Sequence, residues 1–309
     1  MSLTEVSHEE TEEHEWPSVT VVVLTWQNYA DTAECLRSLE SVEYPNYSVI
    51  VVDNGSTDGS QERLSEEFDW CTFLFNDKNL GFARGNNPGI DRALSRGADY
   101  ILLLNNDTVV SPDFLMPLVE TAQNKDNVAA VGGVQYRYDT EEILYAGSRF
   151  YPYLGGRISP NRTVQDDEPY EVSYCPSSLL LIDSEFIRRN SILHDGYFLG
   201  MEDVDLAVQA RQNGKRVMID PDSTIRHKEG MTSEKSPFMT YHWVRNRLEF
   251  ASSRLSLSQK FVFYITFFLT IIQFTLVWIY RDNDDLIESV RLGVVDHFSG
   301  HDFRPYSYF

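Results

Sequence analysis

The sequence predicts an α/β fold built on a mostly parallel sheet with helices on both faces. Two observations carry this. Apolar runs of strand length recur at residues 19–24, 49–52, 71–75, 100–104 and 128–134 of the 309-residue chain, and none shows polar alternation. Strands buried on both faces read this way. Stretches with helical spacing of apolar residues separate them, at 31–40, 84–96 and 112–123. A strand–helix alternation of this kind is the pattern of nucleotide-binding α/β domains.

Each element has its own signal. Ala33, Leu36 and Leu39 put one apolar stripe on the first helix. Pro112 suits the first turn of the 112–123 helix, where its missing N–H costs nothing. From about residue 135 the texture changes: residues 135–173 are rich in Tyr, Gly, Pro and acids without helical period. They read as short strands and loops inserted at an acceptor-side edge. A helix over 202–213 ends at Gly214, the residue type expected just past a helix end. A short strand at 217–219 and a helix over 237–255 follow. We therefore expect an acidic, disordered lead-in over 1–16, a domain over 17–235, and a C-terminal helical region over 236–309.

Charge narrows the partners. Asp and Glu total 47 against 26 Lys and Arg, a net charge of −21. A field of that sign repels a nucleic-acid backbone. Three cysteines without a C-x-x-C pair argue against a disulfide framework or structural zinc, and for a reducing cytoplasm.

Residues 261–280 carry no charge at all. At about 1.5 Å per residue, twenty helical residues reach about 30 Å, the hydrocarbon thickness of a bilayer. Thr266, Thr270 and Gln273 form one polar stripe on that helix, and Trp278 and Tyr280 suit an interface at its end. We expect membrane attachment, spanning in preference to lying in-plane. Lys260 and three arginines before the segment then keep the preceding domain on the cytoplasmic face.

Two predicted strands end in polar clusters, Val-Asp53-Asn-Gly-Ser-Thr-Asp58 and Leu-Asn105-Asn106-Asp107. In open parallel sheets ligands bind beyond the carboxyl ends of strands, so these carboxylates are candidate ligand groups. Between them lies Asn79-Leu-Gly81-Phe-Ala-Arg84-Gly85-Asn86-Asn87, which is neither a Rossmann fingerprint nor a P-loop. A glycine-rich turn entering a helix still offers backbone amides to a diphosphate. Further on, Glu202-Asp203-Val-Asp205-Leu opens a helix, and neighbouring residues there point apart, so Glu202 and Asp203 take different roles. His227 stands in a polar stretch read as a loop.

In this order the motifs resemble the inverting family 2 glycosyltransferases, within them most closely the rhamnosyltransferase-like and haloarchaeal dolichol-linked type. The resemblance runs from about residue 19 to 227, and more loosely through Tyr241-His-Trp-Val-Arg-Asn-Arg-Leu248. It implies a GT-A nucleotide-sugar-binding fold. It implies that Asp53 and Thr25 bind the nucleotide base and ribose, and that Asn79, Gly81, Arg84, Gly85, Asn86, Asn87, Asn105 and Asn106 line the donor site. Asp107 and His227 would hold Mg²⁺ or Mn²⁺ on the donor diphosphate. Asp203 matches the catalytic base, with Glu202 on the acceptor side. The family motif's first Asp is Asn105 here, an uncharged and weaker metal ligand.

The expected function is transfer of a sugar from a UDP- or dTDP-linked donor to a lipid-linked, dolichol-phosphate type glycan, in protein N-glycosylation or surface polysaccharide assembly. No nucleic acid is expected as partner, and a homo-oligomer is compatible. Twenty arginines against six lysines, on so acidic a chain, add the expectation of a halophilic archaeal source. Two alternatives stand. A sugar-nucleotide pyrophosphorylase needs a basic N-terminal phosphate loop, and residues 19–30 hold no Lys or Arg. A non-catalytic, membrane-tethered sugar-binding subunit would have no use for Asp203.

Overall fold

A computed structural model describes residues 16–190, 193–228, 236–301 and 303–304. The acidic stretch before residue 16 lies outside them. Trp16 itself packs edge-on against Tyr44, with ring centroids 5.8 Å apart.

The chain runs β1 (Val19–Thr25), α1 (Tyr29–Leu39), β2 (Tyr47–Asp53), α2 (Ser60–Glu67), β3 (Thr72–Phe75), α3 (Phe82–Ser95), β4 (Tyr100–Asn105), β5 (Thr108–Val110), α4 (Leu115–Asn124) and β6 (Val128–Arg137). It continues through β7 (Ile143–Tyr145), β8 (Ser148–Tyr151), β9 (Arg157–Pro160), β10 (Tyr170–Glu171), β11 (Leu179–Asp183), α5 (Ser184–Asn190), α6 (Glu202–Gln212) and β12 (Arg216–His227). Three helices follow, α7 (Pro237–Arg254), α8 (Leu257–Tyr280) and α9 (Asp284–Ser299).

The main sheet has the order β10-β12-β6-β11-β4-β1-β2-β3. β3, β2, β1 and β4 are parallel, as are β6 and β12. β11 runs antiparallel between β4 and β6 and joins the two halves into one mixed sheet. The predicted sheet thus holds, with a reversed strand, β11, at its centre that local patterning did not reveal, and the short strands β5, β7 and β10 also pair antiparallel.

Burial explains the unbroken apolar runs. Val22, Ile50, Val52 and Leu103 enter one core, and Val21, Val23, Val51, Leu102 and Leu104 enter a second on the opposite face. With successive side chains pointing to opposite faces, both positions of the period are apolar.

Three expectations change in detail. The fourth helix begins at Leu115, so Pro112 lies in the turn before it. His227 ends the strand β12, which spans twelve residues through an irregularity between Asp220 and Thr224. The 135–173 region contributes β7 and β10 to the edge of the main sheet and a separate hairpin, β8–β9.

Candidate active site

Parallel register assembles the first part of the site. Thr25 pairs with Asp53 across β1 and β2, and Leu24 with Asn105 across β1 and β4. Three polar residues far apart in sequence thereby share one carboxyl edge. Asp53 is 1% exposed. Its Oδ1 accepts the Gly55 and Ser56 amides at 3.0 and 2.8 Å, while its buried Oδ2 has no partner. Such an orphan acceptor is relieved by a ligand N–H or O–H.

Thr25 and Asn106 are tied into the scaffold. Thr25 Oγ1 lies 2.8 Å from Thr32 Oγ1, and Asn106 Nδ2 donates to Thr32 Oγ1 at 2.8 Å. Asn79 Oδ1 accepts from the Gly81 amide at 2.9 Å and from Asn54 Nδ2 at 3.0 Å. Asn54 also takes the Leu80 amide on its Oδ1, so it organises this loop, a role the turn-like composition around it concealed.

Gly81 has φ +83°, and a Cβ there would lie 2.4 Å from the Phe198 carbonyl oxygen. That carbonyl accepts the Phe82 amide at 2.6 Å, locking the start of α3 to the loop before α6. Gly81→Ala should lose about 1–3 kcal/mol from backbone strain alone and displace that loop, as urea denaturation would read. An unchanged midpoint would mean the loop yields freely.

The Arg84–Asn87 stretch is tied into the scaffold as well. Arg84 Nε donates to the Asp195 carbonyl at 3.1 Å, and its guanidinium lies 4.8 Å from the Phe303 ring centroid. Asn87 Nδ2 donates to the Leu193 carbonyl at 3.0 Å and to Asp195 Oδ1 at 2.7 Å. Asn86 Nδ2 donates to the Phe82 carbonyl at 3.0 Å, and a Cβ on Gly85 would meet Asn54 Nδ2 at 2.9 Å. Arg84 and Asn87 thereby clamp α3 to the loop leading into α6.

The second part of the site comes from β5 and β12. Their antiparallel pairing sets His227 opposite Thr108, next to Asp107. His227 Nε2 lies 3.1 Å from Asp107 Oδ1 and 3.5 Å from Asn105 Nδ2. One carboxylate, one imidazole and one amide therefore converge. Among the described residues no group of three or more His, Cys, Asp or Glu could hold a metal by itself. The set fits a divalent cation shared with a diphosphate, since Mg²⁺-type ions take several ligands from phosphate and water.

The third part opens α6. Gly200 and Met201 both have positive φ, +80° and +83°. For Met201 this is a strained backbone, which persists only where its surroundings enforce it. Asn246 of α7 supplies that force: its Nδ2 donates to the Leu199 and Gly200 carbonyls at 2.8 and 2.9 Å. The turn presents Glu202 and Asp203 on different sides. Glu202 is 6% exposed and its Oε2 has no partner. Burial, reinforced by the neighbouring Asp203 charge, pushes the Glu202 carboxyl well above the ordinary range. Asp203 keeps some exposure, and burial raises its pKa as well. Its Oδ1 accepts the Val204 amide at 2.7 Å.

The segment Ser177–Ser178 connects the two halves of the site. The Ser178 carbonyl accepts the Asn105 amide at 3.2 Å, and a Ser177 backbone hydrogen bond reaches the Asp203 carboxylate. Asp205, buried at 1% exposure, braces α6 against α7. It receives Arg254 Nε and Nη2 at 2.5 and 2.8 Å and Gln209 Nε2 at 3.0 Å. The sequence motif contained Asp205 without showing that its partner lies 49 residues on.

Relatives can now be set beside this geometry. The chain is 25% identical over 241 residues to N-acetylglucosaminyl-diphospho-decaprenol L-rhamnosyltransferase of Mycobacterium tuberculosis, covering 70% of this chain and 78% of that protein. It is 30% identical over 127 residues to glycosyltransferase AglE of Haloferax volcanii, covering 40% and 41%. Thus it spans less than half of some curated relatives, the Streptococcus pneumoniae glycosyltransferase GlyG at 44% among them. The mannosyltransferase PcManGT of Pyrobaculum calidifontis, solved with GDP-Man and Mn²⁺, superposes with TM-score 0.58 at 16% identity, over 93% of this chain and 88% of that one. That likeness shows a GT-A-like fold. The model of the glycosyl transferase family 2 matches residues 20–189, more than half of the chain, and the protein belongs to that family.

Proposed function

We propose that the protein is an inverting, divalent-metal-assisted glycosyltransferase that moves a sugar from a UDP- or dTDP-linked donor to a lipid-linked glycan. The observation that carries this is Asp203: a partly exposed carboxylate with raised proton affinity, joined through Ser177–Ser178 to the strand edge bearing Asn105. Asp203 removes the acceptor hydroxyl proton as that oxygen attacks the anomeric carbon. The C–O bond to the nucleoside diphosphate breaks in the same displacement, which inverts the centre. Asp107 and His227 would hold the cation, with Asn105 beside them, and Mg²⁺ or Mn²⁺ there would supply Lewis-acid stabilisation of the leaving diphosphate. Glu202, kept protonated by burial, leaves Asp203 as the working base.

The lipid acceptor rests on α8. Phe263, Phe267 and Ile271 are buried, at i, i+4 and i+8, while Phe261, Leu269 and Leu276 are 69, 61 and 63% exposed. Trp243 stacks on Phe267 at 5.5 Å, and Thr266 Oγ1 donates to the Tyr153 carbonyl of the β8–β9 turn at 2.7 Å. A helix held along one face by the catalytic domain, and long and apolar enough to cross a bilayer, supports membrane attachment, in-plane as well as spanning. Use of a nucleotide-sugar donor supports a position on the cytoplasmic membrane face. The composition and the partial likeness to AglE support a dolichol-phosphate-borne acceptor in a haloarchaeal setting.

Slow hydrolysis of UDP- or dTDP-sugars by the purified chain tests this. Turnover should vanish in EDTA and return with Mn²⁺. Turnover indifferent to EDTA would remove the metal from the reading, and no turnover with any sugar nucleotide would favour a non-catalytic subunit.

A further inference from the structure

Two arginines of α7, Arg245 and Arg247, are buried with an Nε that has no partner; Arg245 gives Nη1 to the Gly196 carbonyl at 2.9 Å and lies over the Phe303 ring, whereas Arg247 faces the β8–β9 turn. Arg254 is bidentate on Asp205 and Arg304 on Asp296. Arg247, 8% exposed, has no carboxylate partner among the described residues. Its Nη1 donates to the Trp243 carbonyl at 3.3 Å, its guanidinium lies 4.4 Å from the Trp243 ring centroid, and its buried Nε has no partner. Burial pushes its pKa down to about 9, and no nearby carboxylate offsets this. A buried, unpaired guanidinium is an unsatisfied cation, and a planar fork of donors matches a phosphate.

Its surroundings say which phosphate. On one side is Tyr174, whose phenol feels both the Asp203 carboxylate and the Arg247 charge. On the other is the β8–β9 turn, where a Cβ on Gly156 would meet Arg247 Cγ at 3.4 Å and one on Gly155 would meet Phe267 Cα of α8 at 3.1 Å. Trp243, stacked on Phe267, completes the link from this turn to α8. Arg247 thus has the neighbourhood of the proposed base on one hand and the apolar helix on the other.

We propose that Arg247 binds the phosphate that joins the acceptor sugar to its lipid. The lipid would lie along α8, the phosphate at the guanidinium, and the acceptor hydroxyl at Asp203. This rests on the lipid-acceptor reading above and deepens it.

Calorimetric titration of the full chain in detergent micelles tests it, with farnesyl phosphate, farnesol, and UDP or dTDP plus Mn²⁺ as probes. Wild type should bind farnesyl phosphate at least about tenfold more tightly than farnesol. Arg247→Gln should erase that difference, Arg247→Lys should retain part of it, and UDP affinity should stay within about twofold throughout. A difference that survives in Arg247→Gln overturns the proposal. So does a loss confined to UDP, which would assign Arg247 to the donor diphosphate. If Arg247→Gln fails to fold, the Nε–H resonance of Arg247 in wild type gives the answer: it should move with farnesyl phosphate and stay still with farnesol, and a still resonance with both overturns the assignment. Absence of binding to UDP and to dTDP alike in wild type would sink the glycosyltransferase reading and this proposal with it. Intact UDP binding with farnesyl phosphate no better than farnesol sinks this proposal alone.

Discussion

Asp203→Asn is expected to lower transfer by about 10²–10⁴-fold while UDP binding is retained. The amide keeps the shape of the side chain and its place at the start of α6 but accepts no proton. The pH profile gives the sign. Burial raises the Asp203 pKa, so the base becomes protonated, and activity falls, at a pH above the ordinary aspartate range of about 4. Wild-type kcat/KM should rise with pH through that limb and level off, and the residual activity of Asp203→Asn should lack it. Full transfer by the variant, or an unchanged acid limb, would remove Asp203 from the base role.

Arg254→Leu is expected to cause the largest loss of stability. It strands the Asp205 carboxylate at 1% exposure with only Gln209 Nε2 at 3.0 Å and a long contact from the Tyr197 hydroxyl at 3.5 Å. Breaking one side of a buried pair costs about 3–5 kcal/mol, because the remaining charge is left in a poor solvent. A fall in melting temperature of about 10 °C follows for a domain of this size. Adding Asp205→Asn to Arg254→Leu should recover part of that loss, since the stranded charge is then gone. A melting temperature unmoved by Arg254→Leu would show that α6 and α7 are held together by packing alone.

How much of this was readable in the sequence depended on whether the cause was local. β1, β2 and β4 were legible because burial on both faces leaves an apolar run in each. β11 is just as apolar, yet Leu179–Asp183 follows directly on a Pro-Ser-Ser turn and precedes α5 without a gap. Its place between β4 and β6 is decided by pairing with strands over forty residues away. The polar clusters around Asp53, Asp107 and Asp203 were legible because strand ends and helix starts are marked by their own residue types. The use of Asn87 was not: its partner Asp195 is 108 residues on, and nothing near either residue announces the other. The same holds for Asn246, whose hydrogen bonds sustain the strained Gly200–Met201 turn from a different helix. α8 was conspicuous by composition, whereas its docking by Phe263, Phe267 and Ile271 depends on Trp243 and the β8–β9 turn.

A structure of the chain bound to UDP and Mn²⁺ tests most directly whether Asp107 and Asp203 serve one sugar diphosphate. The account predicts the ion on Asp107 and His227, touching both phosphates, with the terminal phosphate on the side of the site that Asp203 faces. Nucleotide bound elsewhere, or a diphosphate turned away from α6, would contradict it.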